Sequence, residues 1–221
     1  MDLSVKLPRG FSLSNPVIAA SGTFGFGPEY KNFVDIGRLG GVATKGVSPE
    51  PWGGNPPPRV WETPAGLLNS IGLQNPGVDR FCQDDLPFLR ETGTRVIANI
   101  IGHTVEEYRQ VAARLDQEPG IDALEVNISC PNIKEGGMSF GQDPIQAAAV
   151  TRAVRDATDL PIMVKLSPNV GSVVEIAQAI EDAGADMISA INTVVGMAID
   201  LPRRRPSLGG ITGGLSGPAI K

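Results

Sequence analysis

The sequence predicts an α/β fold built on parallel strands, and three observations support this prediction. Short apolar segments alternate with helix-like segments along the 221 residues. Two of the helix-like segments begin with a capping box, which satisfies free N–H groups of the first helical turn. Each apolar segment ends at one polar residue that is followed by a loop. Strands that alternate with helices imply parallel pairing with right-handed crossover connections.

Composition and charge limit the classes of partner. The chain is 41% hydrophobic, and its length suits one domain over residues 1–221. A net charge of -5 argues against nucleic acid as a partner. The first residues do not form a secretory leader, and no apolar run approaches the ~20 residues of a membrane span. We therefore expect a cytoplasmic protein that does not bind a membrane. The two cysteines do not indicate a disulfide framework or a structural zinc site.

The elements follow in order from local patterns. Residues 1–14 contain two short apolar segments, 3–6 and 11–13, which predict an N-terminal hairpin. Helices are predicted from the capping box at Thr104 to about residue 116, from Pro144 to 157, and from Ser172 to Gly184. The predicted parallel strands are 17–20, 41–44, 96–98, 123–126, 162–164 and 187–191.

The residues at the strand ends favour a barrel over an open sheet. In a (β/α)8 barrel the carboxyl ends of all strands converge on one mouth, where such enzymes work. Loops 46–77, 128–143 and 193–217 are long, and each follows a strand. We therefore predict a TIM (β/α)8 barrel whose mouth binds a planar, anionic, amide-rich ligand. The polar residues that end the six strands are Ser21, Lys45, Asn99, Asn127, Lys165 and Asn192.

The number of strands is two short of a barrel. Six βα units are present where eight are needed, so we expect roughly 80 residues to be absent at the C-terminal end. The absent loops after strands 7 and 8 would include those that bind phosphate in many barrels. We expect residues 1–221 alone to be poorly soluble or to lack their cofactor.

Two motifs resemble those of a known family. Asn127-Ile128-Ser129-Cys130-Pro131-Asn132 and Asn69-Ser70-Ile71-Gly72-Leu73 resemble the catalytic loop and the substrate loop of class 1 dihydroorotate dehydrogenases, which are FMN-dependent barrels of pyrimidine biosynthesis. A lone cysteine is more often a buried structural residue. In this family, however, a cysteine at the position of Cys130 marks class 1. Three further segments are similar to the NAD-linked subclass 1B, and they are Asn75-Pro76-Gly77, Arg59-Val60-Trp61-Glu62-Thr63 and Lys134-Glu135-Gly136-Gly137-Met138.

The resemblance implies a role for each candidate site residue. Cys130 would be the general base that removes the C5 proton of dihydroorotate, provided that the site lowers its pKa from ~8.5. Lys165 would stabilise anionic reduced FMN, and His103 would be a loop or cap residue. The implied substrate-binding residues are Lys45, Asn69, Ser70, Ile71, Gly72, Leu73, Asn127, Asn192 and Thr193. The implied FMN-binding residues are Ser21, Lys45, Gly46, Asn99, Asn127, Lys165, Ile191 and Gly217.

The electron route implies a partner protein. No GxGxxG motif for NAD occurs in the sequence. The resemblance therefore implies an electron-transfer subunit that carries FAD and a [2Fe-2S] cluster, bound to a homodimer of catalytic subunits in a heterotetramer. Three alternatives remain open: a fumarate-linked class 1A enzyme, a tRNA dihydrouridine synthase and a non-catalytic barrel fragment. The net charge of -5 argues against the tRNA enzyme.

Overall fold

The computed structural model describes residues 1–130 and 139–220. The strands are β1 (Val5–Lys6), β2 (Ser12–Leu13), β3 (Ile18–Ala19), β4 (Gly41–Ala43), β5 (Val60–Thr63), β6 (Gly66–Asn69), β7 (Arg95–Ile100), β8 (Ala123–Asn127), β9 (Ile162–Lys165), β10 (Met187–Ser189), β11 (Val194–Gly196), β12 (Ile199–Asp200), β13 (Arg205–Pro206) and β14 (Gly213–Ser216). The α-helices are α1 (Val78–Arg80), α2 (Leu86–Thr92), α3 (Val105–Asp116), α4 (Pro144–Arg155) and α5 (Val173–Asp182). A π-helical stretch, Phe81–Asp85, joins α1 to α2.

A six-stranded parallel sheet forms the centre of the fold. Its order is β10-β9-β8-β7-β4-β3, and every neighbouring pair is parallel. These six strands are the six apolar segments that the sequence predicted, so the α/β prediction is confirmed. The connections contain the helices, as parallel pairing requires. The segment that contains α1 and α2 was not predicted as a helix.

The helix starts agree with their predicted caps. Thr104 accepts a hydrogen bond from the backbone N–H of Glu107, and Ser172 caps α5 in the same way. The Glu107 carboxylate accepts from the N–H of His103, at 2.8 Å. Asp143 caps α4, with Pro144 in the first turn, and α4 ends at Arg155, two residues before the predicted end.

The two faces of the sheet have different neighbours. Outward residues such as Val96, Leu124 and Val164 pack against the helices in the larger core cluster. Inward residues Ile97 and Ala123 pack against the hairpin of β1 and β2 in a second apolar cluster. Because side chains alternate along a strand, the next inward positions on β7 and β8 lie nearer the carboxyl ends. Those positions carry polar residues, and they begin the candidate site.

A second sheet lies in segments that the sequence analysis treated as loops. Strands β5 and β6 come from loop 46–77, and β11 and β14 come from loop 193–217. They form an antiparallel sheet in the order β11-β14-β6-β5. The prediction of plain loops was wrong here because proline and glycine interrupt the strand pattern, and pairing between distant segments supplies the order. This sheet joins two of the loops that follow parallel strands.

Candidate functional site

Four neighbouring parallel strands present polar side chains at the same end. Asn127 on β8 is paired in register with Lys165 on β9, and Lys165 is paired with Ser189 on β10. Asn99 on β7 is paired with Glu125, two residues before Asn127 on the same face of β8. The predicted convergence of Asn99, Asn127 and Lys165 is therefore present in the fold.

Four residues expected at the substrate are joined by contacts. The side-chain amide of Asn192 donates to Oδ1 of Asn127 at 3.1 Å, and its own Oδ1 accepts from the N–H of Thr193 at 2.8 Å. Asn69 donates to the carbonyl oxygen of Gly214 at 3.2 Å. A Cβ at Gly214 would lie 2.0 Å from Oγ1 of Thr193, so these residues are in close contact. The structure thus brings together Asn69, Asn127, Asn192 and Thr193.

The segment after Asn69 is held by residues of the same long loop. The N–H of Ser70 donates to the carbonyl of Arg59 at 2.7 Å, and the amide of Asn55 donates to Oγ of Ser70 at 2.8 Å. The backbone N–H of Asn55 donates to the carbonyl of Ile71 at 3.1 Å. These bonds give residues 70–71 a fixed backbone path.

The next turn depends on positive φ angles. Gly72 has φ +72° and Leu73 has φ 54°. The buried Asn75 side chain supports the turn, since its Nδ2 donates to the Leu73 carbonyl at 3.0 Å and its Oδ1 accepts from the N–H groups of Ser48 and Gly77. Asn75 was singled out in the sequence only as a subclass marker, and the structure gives it a supporting role in the loop.

Glu125 is a site residue that the sequence analysis missed. It is only 3% exposed, and its Oε2 accepts from Nδ2 of Asn99 at 2.6 Å. Its Oε1 accepts from Oγ of Ser189 at 2.8 Å, and Nζ of Lys165 lies 3.7 Å from Oε2. A single charged residue inside an otherwise apolar strand was the available sequence signal, because a buried charge requires partners.

The thiol of Cys130 lies in the interior. Cys130 is 0% exposed. Burial raises the pKa of Cys130 to about 11, although the Tyr108 hydroxyl and the Gly102 backbone act to lower it. The condition that the site lowers this pKa is not met for the thiol as the structure places it. The rest of the motif, at Pro131 and Asn132, lies outside the described residues, as does the 134–138 segment.

Comparison with known proteins assigns the family. A family model described as dihydroorotate dehydrogenase matches residues 3–221. The chain belongs to the dihydroorotate dehydrogenase family. Its relatives include the catalytic subunits of dihydroorotate dehydrogenase B (NAD(+)) from Geotalea uraniireducens, 57% identical over 220 residues, and from Trichlorobacter lovleyi, 59% identical over 219 residues. These matches cover 100% and 99% of this chain and 72% of each relative.

A solved structure supports the fold. The chain matches dihydroorotate dehydrogenase from Eimeria tenella in complex with ferulenol, with a TM-score of 0.77 and 22% identity, over 99% of this chain and 66% of that one. At this identity the likeness concerns the fold alone. The six parallel strands are thus part of a TIM barrel, as the sequence predicted.

Dihydroorotate dehydrogenases depend on a flavin, and the described residues fit one. Oδ1 of Asn99 is buried and has no hydrogen-bond partner among residues 1–130 and 139–220, so it can accept from a ligand N–H. A Cβ at Gly46 would lie 2.8 Å from that oxygen and 2.8 Å from Cγ2 of Ile101, so only glycine fits beside Asn99. Burial lowers the pKa of Lys45, with Glu29 opposing the effect and Arg59 adding to it. Asn99, Gly46 and Lys165 are therefore suited to a flavin.

Three further residues are expected at the flavin. Ser21 follows β3 at one edge of the parallel sheet, and Ile191 follows β10 at the other edge, where it is 40% exposed. Gly217 follows β14, and a Cβ there would come within 2.8 Å of the Cα of Gly66 at the start of β6. The place of these three residues at the flavin stays a prediction.

Lys45 lies in the wall of a cavity of about 590 Å³. Lys45, Trp52, Asn75 and Arg80 are among its lining residues. Trp52 stacks on His103, with ring centroids 4.0 Å apart. His103 directly precedes the N-cap residue of α3, as expected for a loop residue.

Across the described residues, no helix has the length and apolar character needed to cross a membrane.

Proposed function

We propose that this chain catalyses the FMN-dependent oxidation of (S)-dihydroorotate to orotate in pyrimidine biosynthesis, with NAD as the final electron acceptor. The observation that carries this proposal is the contact chain from Asn127 through Asn192 and Thr193 to Asn69. It joins three amides and one hydroxyl, and it begins at Asn127, whose partner across the sheet is Lys165. Relatives named as the catalytic subunit of the NAD(+)-linked enzyme support the same activity.

The residues of this contact chain can hydrogen-bond to the polar groups of the proposed ligand. Orotate and dihydroorotate are planar or near-planar rings with N–H groups, carbonyl oxygens and one carboxylate. Asn69, Asn127 and Asn192 can each both donate and accept, and Thr193 can do the same through its hydroxyl. The backbone of residues 70–73 and the Lys45 ammonium complete the proposed site, with Lys45 as partner of the carboxylate.

FMN would be held by Asn99, Gly46 and Lys165. Asn99 would accept from a ring N–H through its unpaired Oδ1, and Lys165 would place positive charge near the ring. FMN, when bound, takes up the hydride that leaves C6 of the substrate. Gly46 and Asn127 would line the same space, while Ser21, Ile191 and Gly217 remain proposed FMN residues on the family resemblance alone.

Cys130 would take the proton from C5 of dihydroorotate. The C5–H electron pair then forms the new double bond to C6, so one proton and one hydride leave the substrate. Because burial raises the pKa of Cys130 to about 11, the thiol is protonated at neutral pH as the structure places it. Base catalysis by this thiol should therefore increase with pH.

The name of the relatives, catalytic subunit, supports a second subunit that carries electrons onward. We propose that this partner holds FAD and a [2Fe-2S] cluster, and that two copies of each subunit form the complex. A cytoplasmic location fits this assembly. The domain division proposed from the sequence is also kept, with one FMN-binding barrel domain over 1–221 that begins with a hairpin at 1–14.

The experiment that tests the proposed function is anaerobic mixing of the FMN-loaded protein with dihydroorotate. We expect loss of the oxidised flavin absorbance and formation of one orotate per flavin. Dihydrouracil, which lacks the carboxylate, and fumarate as acceptor provide the controls for the tRNA enzyme and class 1A alternatives. If dithionite reduces the flavin and dihydroorotate does not, the proposed function is wrong.

A further inference from the structure

The carboxylate of Glu125 connects three strands below the candidate site. It occupies the middle of three inward positions on β8, between Ala123 and Asn127. Its partners, Asn99 on β7, Lys165 on β9 and Ser189 on β10, all lie on strands next to or near β8.

Stability does not account for a carboxylate at this position. Moving a charged group into a protein interior costs several kcal/mol, and well-packed apolar residues can replace buried ion pairs without loss of stability. The position one layer deeper, Ala123, is filled by an apolar side chain in a packed cluster. A polar layer begins only at Glu125 and its register partner Asn99, one inward position before Asn127 and Lys165.

The carboxylate also determines how Asn99 is oriented. An ionised carboxylate only accepts hydrogen bonds, so the amide must turn its NH2 group toward Glu125. The contact of 2.6 Å between Nδ2 and Oε2 has that form. The amide oxygen then faces the opposite way, beside Gly46, where it is buried and without a partner among the described residues. Glu125 thereby turns the acceptor of Asn99 toward the proposed flavin space.

The same carboxylate offsets the charge of Lys165. Nζ of Lys165 lies 3.7 Å from Oε2, and the two side chains are 12% and 4% exposed. Solvent screens charges this deep only weakly. A ligand beside Lys165 therefore experiences the sum of a positive and a negative charge, rather than a full positive charge.

We propose that Glu125 is a positioning residue that lowers the reduction potential of the bound flavin, by offsetting Lys165 and by fixing the amide of Asn99. The proposal rests on the proposed function, since it takes Lys165 and Asn99 to lie at the flavin. Reduced FMN carries more negative charge than oxidised FMN, so a nearby carboxylate disfavours the reduced form.

The test is a potentiometric titration of the FMN-loaded protein and of Glu125→Gln, with dithionite as reductant and no substrate. Glutamine keeps the size and can still accept from Asn99, but it removes the charge. We expect reduced FMN to gain at least about tenfold in affinity relative to oxidised FMN, which is a rise of about 30 mV in potential. Lys165→Met should shift the potential in the opposite direction.

Two further variants separate charge from loosened packing. Ser189→Ala removes one hydrogen bond to Glu125 and leaves both charges, so its shift should be much smaller than that of Glu125→Gln. Glu125→Asp keeps the charge but moves it away from Lys165, so we expect a smaller rise in the reduction potential. This variant serves as the test if Glu125→Gln does not fold. An unchanged or lower potential in Glu125→Gln, or an equal rise in Ser189→Ala, would overturn the proposal. If Glu125→Gln does not fold, an unchanged potential in Glu125→Asp would do so. Because no substrate is present, these results are independent of whether dihydroorotate reduces the flavin.

Discussion

The hydroxyl of Tyr108 donates a hydrogen bond to the backbone carbonyl oxygen of Asn127, with 2.6 Å between the two oxygens. Both residues are buried, and Tyr108 also packs edge-on against Phe140, with ring centroids 5.6 Å apart. The same hydroxyl acts to lower the pKa of the Cys130 thiol. One side chain of α3 therefore anchors the end of β8 at a proposed substrate residue and influences the proposed base.

Replacing this tyrosine should destabilise the fold. Tyr108→Phe removes the donor and leaves the buried Asn127 carbonyl without that bond, which costs about 1–3 kcal/mol. Urea unfolding measures the change in free energy. Tyr30→Phe is the matched control, because the Tyr30 hydroxyl donates to the Thr23 carbonyl at the surface and its removal should cost less than about 0.5 kcal/mol. Equal effects of the two variants would contradict the anchoring role of Tyr108.

Alkaline pH should destabilise the protein through its two buried thiols. Burial raises the pKa of Cys82 and of Cys130 from 9.0 to about 11. The unfolded chain then loses these protons at lower pH than the native protein does. The stabilisation is complete below pH 9 and is lost as pH rises toward 11, by up to ~3 kcal/mol for each thiol.

Cys82→Ala isolates one of these two contributions. The difference in unfolding free energy between wild type and Cys82→Ala should be constant below pH 9 and should change between pH 9 and 11, as the wild type loses stability. A difference that stays constant over the whole range would show that the thiol titrates at its ordinary pKa in the native protein.

The parallel sheet could be predicted because its signals are local. Each strand is a short apolar run, and the caps at Thr104 and Ser172 begin helices that the structure confirms. The second sheet could not be predicted in the same way. Its pairing of Leu68 with Leu215 joins residues far apart in the chain, and short segments broken by glycine carry little strand pattern of their own.

The polar residues of the candidate site could be predicted from the sequence, but the buried residue that contacts them could not. Asn127, Asn192 and Lys165 stand out because each interrupts or ends an apolar run. Glu125 has the same property, yet it lies inside the run, and only the register shows that it faces Asn99. The raised pKa of Cys130 also required the structure, since burial beside Tyr108 comes from packing.

Asp186 should contribute strongly to stability at the opposite end of the barrel strands. Its Oδ1 accepts from Nε of Arg9 at 2.8 Å, and its Oδ2 accepts from Arg155 at 3.0 Å and from the backbone N–H of Ile162 at 2.8 Å. Asp186→Ala leaves the half-buried Arg155 without this partner and should cost about 3 kcal/mol in thermal or urea unfolding.

The control for Asp186 is an exposed ion pair. Asp84→Ala removes the partner of Arg80, in a pair whose side chains are 50% and 73% exposed, and should cost at most about 0.5 kcal/mol. If the two alanine variants unfold at the same denaturant concentration, Asp186 does not join the N-terminal hairpin to the sheet in the way its contacts indicate.

Gly72→Ala should weaken orotate binding. Gly72 has φ +72°, and an added Cβ would lie 2.4 Å from the backbone nitrogen of Asn55, so the proposed substrate loop must shift. Left-handed backbone costs about 1–2 kcal/mol for alanine, which corresponds to roughly a tenfold or larger loss of affinity. Titration with orotate, followed by the flavin absorbance, measures this affinity. In the same loop, Gly53→Ala meets no atom within 4 Å and should bind orotate normally; similar losses in both variants would contradict this assignment.

The rate of flavin reduction in Cys130→Ala tests the central claim most directly. The wild-type and variant proteins, both loaded with FMN and shown to bind orotate, are mixed with dihydroorotate under anaerobic conditions across a range of pH. We predict that the wild-type rate rises with pH, because the pKa of Cys130 is raised to about 11, and that Cys130→Ala is at least ~10²-fold slower at neutral pH. A variant that reduces its flavin at the wild-type rate would contradict the account, because Cys130 could then not be the base.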